Sequence, residues 1–280
     1  MIDMHSHILP GIDDGAESID VSLEMARLYV DEGVDRVVCT PHIFPGLYNN
    51  SGPQIRAAVN DLQSQLDLAE IPLKLTPGAD NHISPDFVAR LRDGHLLSLG
   101  DTRYVLVEPP NHVAPARLED LFFDIILAGY VPILTHPERL TWIEEKYDFI
   151  QRLAKCGVWM QVTSGSLLGK FGKRARYWAE RMLSDGHVHI LATDAHDHIR
   201  RRPDLLKGRL AAEKLVGIEE TESLVATRPR DVLLNRVPKN SVSLRGPTFG
   251  DRRWGSDTYV EAHNKSHGGS LAQRLRRFFA

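Results

Sequence analysis

Histidines and carboxylates recur in this chain at one kind of place, the far end of a short apolar run. His5 and His7 close "IDMH" within "MIDMHSHILPGIDDG", a stretch that also carries Asp13 and Asp14. His42 follows "RVVCTP", Asp80 follows "LKLTPGA", Glu108 ends "YVLVE", His136 ends "VPILTH", and Asp194 and His196 lie in "TDAH" after "VHILA". Imidazole and carboxylate are donors that borderline divalent cations accept readily. One such residue at a strand end is more often structural than not. A set obeying one positional rule along most of the chain points instead to a metal site. His5, His7, Asp14, His42, Asp80, Glu108, His136, Asp194 and His196 are too many donors for one ion. With three or four protein ligands each they would serve two or three ions. That arrangement suits phosphate-ester hydrolysis, because neighbouring ions lower the pKa of a bridging water and offset charge on phosphoryl oxygens. Competing chemistries lack their motifs. Neither Cys39 nor Cys156 has an arginine six positions on, "GSLLGKF" lacks the spacing and hydroxyl of a nucleotide P-loop, and there is no "GxSxG".

The runs that position these donors read as strands: "IDMH", "RVVCT" (36–40), "LKLT" (73–76), "YVLVE" (104–108), "VPILTH" (131–136), "VWMQVT" (158–163) and "VHILAT" (188–193). They are rich in Val, Ile and Leu and mostly lack alternation, as strands buried on both faces of a parallel sheet do. Helical spacing of apolar residues falls at 17–32, 117–128, 144–155 and 174–185, ending at or before Gly33, Gly129, Gly157 and Gly186. Six or seven such strand–helix units over about 235 residues predict a barrel of parallel strands, with an open doubly wound sheet as the alternative. In a barrel the C-terminal strand ends converge on one mouth, and the spacing in "HSH" turns both rings to one side of their strand.

Composition agrees with a globular protein: 280 residues, 42% hydrophobic and 25% charged. The net charge of -3 is unevenly placed, with +5 in residues 239–280 and -8 in residues 1–238. An acidic body suits cations better than nucleic acid. Two distant cysteines exclude a disulfide framework and indicate a reducing, cytoplasmic setting. The start lacks the pattern of a signal peptide, and no apolar run reaches membrane-spanning length. Residues 1–238 read as one domain and 239–280 as a basic, Gly/Ser-rich flexible tail. The tail ends in "LAQRLRRFFA", where Leu271, Leu275, Phe278 and Phe279 share a helical face, either a frayed end or a peripheral docking or membrane anchor.

Together "MIDMHSHILPGIDDG", "TPH", "VPILTHPER", "GSLLGKFG" and "TDAH" followed by "RRRP" resemble the polymerase-and-histidinol-phosphatase (PHP) superfamily. More closely they are similar to its bacterial tyrosine-protein phosphatases of capsule and exopolysaccharide synthesis, the CpsB/CapC/YwqE type, from residue 1 to about 238. The resemblance implies a distorted (β/α)7-type, TIM-like barrel with a trinuclear site, usually manganese, sometimes iron, zinc or magnesium. It implies as partner and substrate the phosphorylated, tyrosine-rich tail of a bacterial tyrosine autokinase of the polysaccharide co-polymerase type. By position, one metal would use His5, His7 and Asp194, and a second Glu108 and His136, with Asp80 bridging the two. A third would use Asp14, His42 and His196. Arg139 and an arginine of "RRRP", best matched by Arg202 with Arg201 also eligible, would hold the phosphate. This chain departs from the pattern in "PGADNHI", where Asp80 replaces a glutamate and His82 an arginine, and in Thr163, which replaces an asparagine.

Simpler roles compete with some of these. Asp14 could cap the following helix, with Glu17 completing a capping box. Asp13 reads as a turn residue or as the hydrogen-bond partner of a ligand. Arg139 could be a surface ion pair, although a bidentate guanidinium matches phosphate. Tyr48 is a candidate for stacking on a phosphotyrosine ring, and Trp142 for lining the cleft. His187 and His189 fall at the opposite end of their strand and read as structural, as do His95, His112 and His198. The rival functions are a small-molecule phosphatase, for instance of histidinol phosphate, and a metal-bound scaffold that holds a kinase tail without cleaving it. A homo-oligomer is compatible with all three.

Overall fold

The computed structural model describes residues 1–236; the expected tail and its terminal helix lie outside the described residues. The strands are β1 (Ile2–Ser6), β2 (Arg36–Cys39), β3 (His42–Ile43), β4 (Lys74–Pro77), β5 (Asp80–His82), β6 (Tyr104–Glu108), β7 (Val131–Thr135), β8 (Trp159–Thr163) and β9 (Ile190–Ala192). The helices are α1 (Ile19–Asp31), α2 (Gly52–Leu68), α3 (Phe87–Arg92), α4 (Leu118–Leu127), α5 (Ile143–Lys155), α6 (Ser164–Leu167), α7 (Gly172–Ser184), α8 (Leu205–Glu222) and α9 (Arg228–Leu233). Among the described residues no helix is long and apolar enough to cross a membrane.

Every ladder is parallel, in the orders β1-β2-β4 and β3-β5-β6-β7-β8-β9. The sheet curls until its ends meet: Ser6 bridges Ala195 just beyond β9, and the His7 amide donates to the Ala195 carbonyl at 2.9 Å. All seven expected runs form strands. The two short strands β3 and β5 are additions. They resume the pairing of β2 and β4 after Thr40–Pro41 and Gly78–Ala79, and these breaker residues disguise the continuation.

Side-chain alternation divides the interior into two levels. Ile2, Met4, Tyr104, Leu106, Ile133, Trp159, Ile190 and Ala192 pack into one fully apolar cluster inside the curl. Two residues further along the same strands stand Glu108 and Gln161, and Asp194 follows Ala192 in the same way. The apolar floor therefore continues directly into a polar mouth. β1 needs a correction to strict alternation, since its pairing with β2 slips between Asp3 and Ser6. Such a bulge re-aims a side chain. Here it accompanies Met4 on the floor and His5 in the mouth, although they are adjacent in sequence.

The other strand faces pack under the helices, where Tyr29, Phe122 and Met182 are fully buried. α1, α4, α5 and α7 each run to the expected glycine, Gly33, Gly129, Gly157 or Gly186, all at positive φ. α2 and α8 were not expected. The buried row of α2 (Ile55, Val59, Leu62, Leu66) has helical spacing, but α8 is interrupted at Gly217, whose φ of 80° and ψ of 171° break the periodicity. The cap of α1 is Ser18, whose side chain accepts from the Val21 amide; the capping role weighed for Asp14 is thereby excluded.

Candidate metal centre

All nine expected donors meet at the C-terminal mouth of the curled sheet, held by β1 and the segment after it, by β3, β5 and β6, and by the segments after β7 and β9. His5 Nε2, His7 Nε2 and Asp194 Oδ1 lie 3.2, 3.4 and 3.3 Å apart. Asp14 Oδ1 is 3.5 Å from both His42 Nε2 and His196 Nε2. Glu108 Oε1 is 3.6 Å from His136 Nε2, and its Oε2 is 3.2 Å from His42 Nδ1. Asp80 Oδ2 stands between these groups, 3.5 Å from His5, 3.6 Å from His42 and 4.0 Å from His136.

These spacings exceed most hydrogen bonds, which place N and O about 2.7–3.2 Å apart. They match two donors on one ion: metal–ligand bonds of about 2.1 Å at a tetrahedral angle put the donors about 3.4 Å apart. A second observation points the same way. Asp80 has no solvent exposure, yet neither of its carboxylate oxygens accepts a hydrogen bond, and His42 Nδ1 and His196 Nε2, though close to carboxylates, are likewise buried without a hydrogen bond. Buried polar atoms are rarely left so. A cation among them would satisfy each, so the residues present fit a metal group.

The electrostatics show the same strain. Burial, reinforced by Glu108, pushes the Asp80 carboxyl well above the usual carboxylate range. Burial drives His5 down to about 3 against the pull of Asp194. Burial also opposes a charge on His7, but Asp13 and Asp194 overcome it and push His7 up to about 10. Neighbouring ligand-type groups pulled in opposite directions mark a site built to share positive charge.

Asp13 acts as the partner of a ligand. Its Oδ2 accepts from His7 Nδ1 at 2.7 Å and from the His42 amide at 2.9 Å, while Oδ1 accepts from the Gly15 amide at 2.9 Å. It thereby fixes which His7 nitrogen faces the centre. The turn that brings it there requires Gly15, where a Cβ would lie 2.1 Å from the His7 carbonyl oxygen. His136 and Asp194 both sit at positive φ, 32° and 51°. Such backbone costs about 1–3 kcal/mol per residue and persists where the surroundings hold it, as the Asp194 amide's 2.9 Å bond to the His5 carbonyl does here.

Arg139 and Arg201 both donate to Asp194 Oδ2, Arg201 at 2.6 Å, and their guanidiniums lie 4.4 and 5.8 Å from the Phe171 ring centre. Arg202, favoured by motif position, turns instead to Asp204, 3.7 Å away. Tyr48 stacks on His42 with the rings 13° from parallel, and Trp142 is buried, donating to the Pro110 carbonyl. His189 accepts from the Met160 amide and stacks on Trp159, remote from the donors. His187 lies beside Gln151, and His95 pairs with Asp93.

Four participants were not expected. Gln161 Oε1 lies 2.9 Å from His5 Nδ1; its signal is its place on an inward row of β8. Glu138, fully buried, accepts from the Thr163 amide and the Ser166 hydroxyl, fixing the turn that carries Arg139. Phe171 supplies the platform under the two arginines, and Phe44 stacks on His82 with ring centres 3.8 Å apart. Phe171 lies in the quoted string "GSLLGKFG", but its residue type announces no such role, and nothing in the sequence marks Phe44.

Comparison with known proteins bears on what this mouth does. A family model described as capsular polysaccharide synthesis, CpsB/CapC, matches residues 1–234. The tyrosine-protein phosphatase YwqE of Bacillus subtilis is 38% identical over 219 residues, covering 78% of this chain and 86% of that protein. The putative tyrosine-protein phosphatase CapC of Staphylococcus aureus is 32% identical over 240 residues, or 85% of this chain and 94% of CapC. A chain from crystal structures of YwqE from Bacillus subtilis and CpsB from Streptococcus pneumoniae, described there as metal-dependent tyrosine phosphatases, superposes with a TM-score of 0.81. It is 37% identical and covers 85% of this chain and 96% of its own length.

Proposed function

The chain belongs to the capsular polysaccharide synthesis CpsB/CapC family, and from that membership we propose that it is a metal-dependent protein-tyrosine phosphatase. The observation that carries the metal dependence is Asp80, a buried carboxylate without a hydrogen bond among three histidines from three separate parts of the chain. His5, His7 and Asp194 form one ligand set, Glu108 and His136 a second that shares Asp80 with the first, and Asp14, His42 and His196 a third. Two or three divalent ions, manganese first and iron, zinc or magnesium otherwise, occupy them. Bound there, the ions supply an activated water and Lewis-acid stabilisation of the phosphoryl oxygens.

The chain's own residues do the rest. Arg139 and Arg201 already converge on Asp194 Oδ2, so a phosphate seated beside Asp194 meets two guanidiniums whose fork geometry matches its oxygens. Phe171 beneath them limits their swing. Asp13 and Gln161 orient His7 and His5. Tyr48, half-buried beside His42 at the mouth, can take the ring of the substrate. The departing phenol has a pKa of about 10, so its oxygen needs little proton donation. Three further assignments belong to this reading. β2 with β3 and β4 with β5 each count as one interrupted strand, giving a (β/α)7-type barrel, a count supported by the shared pairing partners. Residues 1–238 form the catalytic domain, and the protein acts in the cytoplasm. The physiological substrate is the phosphotyrosine-bearing tail of a bacterial tyrosine kinase that governs capsule or exopolysaccharide assembly.

Replacing His136 or Asp194 with alanine tests the core of this proposal. Hydrolysis of p-nitrophenyl phosphate should be abolished while circular dichroism stays native; full turnover in either variant would sink it. Metal analysis of protein purified without chelator, with activity measured across added Mn, Zn, Fe and Mg, identifies the ion. Preferred turnover of histidinol phosphate over a phosphotyrosine peptide would move the assignment to a small-molecule phosphatase.

A further inference from the structure

A cavity adjoins the metal mouth; it shares Asp194, Arg201 and Phe171 with the site above, and its other lining residues play no part in the chemistry described there. It has a volume of about 220 Å³, and Asp194 and Arg201 line it on the side of the centre. Its lining also includes Lys170, Arg200, Arg202 and Asp204. Asp204 is only 2% exposed and is already surrounded by three cations: Lys170, Lys207 at 3.2 Å and Arg202 at 3.7 Å. Asp194, the other carboxylate of the lining, is shared by Arg139 and Arg201. Positive groups thus outnumber carboxylates around a space of side-chain size. Two of them retain unused donors, since Arg201 Nε and Arg202 Nε are buried without a hydrogen bond. Unsatisfied buried donors and surplus positive charge both favour an anion.

We propose that this cavity is an accessory subsite for a second anionic side chain of the substrate peptide, a carboxylate or a phosphate next to the phosphotyrosine being cleaved. The inference rests on the phosphatase reading and deepens it. Arg201 lines both spaces, so an anion in the cavity and a phosphate at the metal mouth lie on either side of one guanidinium. The occupant must therefore be a near neighbour along the same peptide. Lys170, Arg200 and Arg202 supply the contacts, and a neutral neighbour leaves their charge uncompensated.

The test compares kcat/KM of the metal-loaded full chain for three phosphotyrosine peptides: one with neutral flanks, one with adjacent glutamates, and one with an adjacent non-hydrolysable phosphonate analogue of phosphotyrosine. The wild-type protein should favour an anionic peptide by about tenfold, expressed mainly in KM and shrinking as salt screens the charges. Which of the two is favoured identifies the anion as carboxylate or phosphate. In Lys170→Gln with Arg200→Gln the preference should fall towards one, with p-nitrophenyl phosphate, which offers no second anion, setting each protein's baseline. Equal turnover of the three peptides by wild type, or an unchanged preference in the double variant, overturns the subsite alone. Failure to cleave any phosphotyrosine peptide while p-nitrophenyl phosphate is hydrolysed overturns the protein-phosphatase reading and the subsite with it.

Discussion

A carboxylate with no solvent exposure and no hydrogen-bond donor on either oxygen is costly unless a cation faces it, and Asp80 is such a group. Its side chain is one methylene shorter than the glutamate that the resemblance leads one to expect, yet its Oδ2 stands 3.5–4.0 Å from His5, His42 and His136. Reach is therefore not lost at this position. Asp80→Asn keeps the shape and removes the charge, so bound metal per chain should drop and p-nitrophenyl phosphate turnover should fall by about a hundredfold or more. Elemental analysis beside kinetics checks this, and wild-type metal content in the variant would contradict it. Asp13→Asn is the subtler change, because only the group that orients His7 is altered. Loss of a ligand's hydrogen-bond partner typically weakens metal binding about 10–100-fold. A chelator-competition titration should show that weakening with the fold intact. The nine donors were legible because their types are chemically distinctive and follow one positional rule. Gln161, Glu138 and Phe171 were not, since ordinary residue types acquire a role only from contacts that folding brings together, as Gln161 does with His5 across 156 positions.

Strands and their floors carry a second set of consequences. The apolar runs announced all seven main strands, and the glycines after α1, α4, α5 and α7 announced where those helices stop. Pairing resumed beyond Pro41 and Gly78 was hidden by the breakers, and a slip in the register of β1 leaves no mark in its sequence. β9 is preceded by a half-buried titratable group that the centre does not use. Burial, with Arg228 nearby, lowers His189 to about 3, while its Nδ1 accepts from the Met160 amide and its ring stacks on Trp159. The fold thus requires neutral imidazole, whereas the unfolded chain protonates near pH 6.5. The unfolded state binds the extra proton, so stability is fully present above that pH. It declines by about 1.4 kcal/mol for each unit below it, down to about pH 3. Between pH 6.5 and 5 this amounts to about 2 kcal/mol. Urea unfolding at pH 7 and pH 5 should show a smaller difference in His189→Gln than in wild type, because the variant has no proton to gain. Equal differences would mean that His189 is already charged in the fold.

At the scale of the whole molecule, the question is how much chain the catalytic unit needs. The family match ends at residue 234, two residues before the described structure does. The last described residues close the bottom of the curl. Val232 of α9 is fully buried in the inner apolar cluster, with Leu233 packed against it. Asn235 Oδ1 accepts from both the amide and Nε of Arg103 at 3.0 Å, and the Arg236 carbonyl accepts from the Tyr104 hydroxyl at 2.7 Å. Arg228 adds a paired contact with Glu220. Burying one valine is worth about 1.5–3 kcal/mol and each hydrogen bond about 1 kcal/mol, against a total stability of about 5–15 kcal/mol. A chain stopped after Thr227 loses all of these and should melt far below wild type or fail to fold. One stopped after residue 238 keeps them, and should retain both the melting temperature and p-nitrophenyl phosphate turnover of the full chain. Thermal melts and kinetics of the two truncations set the boundary. A large loss of stability in the longer one would show that residues beyond 238 belong to the folded unit, and would overturn the division proposed here.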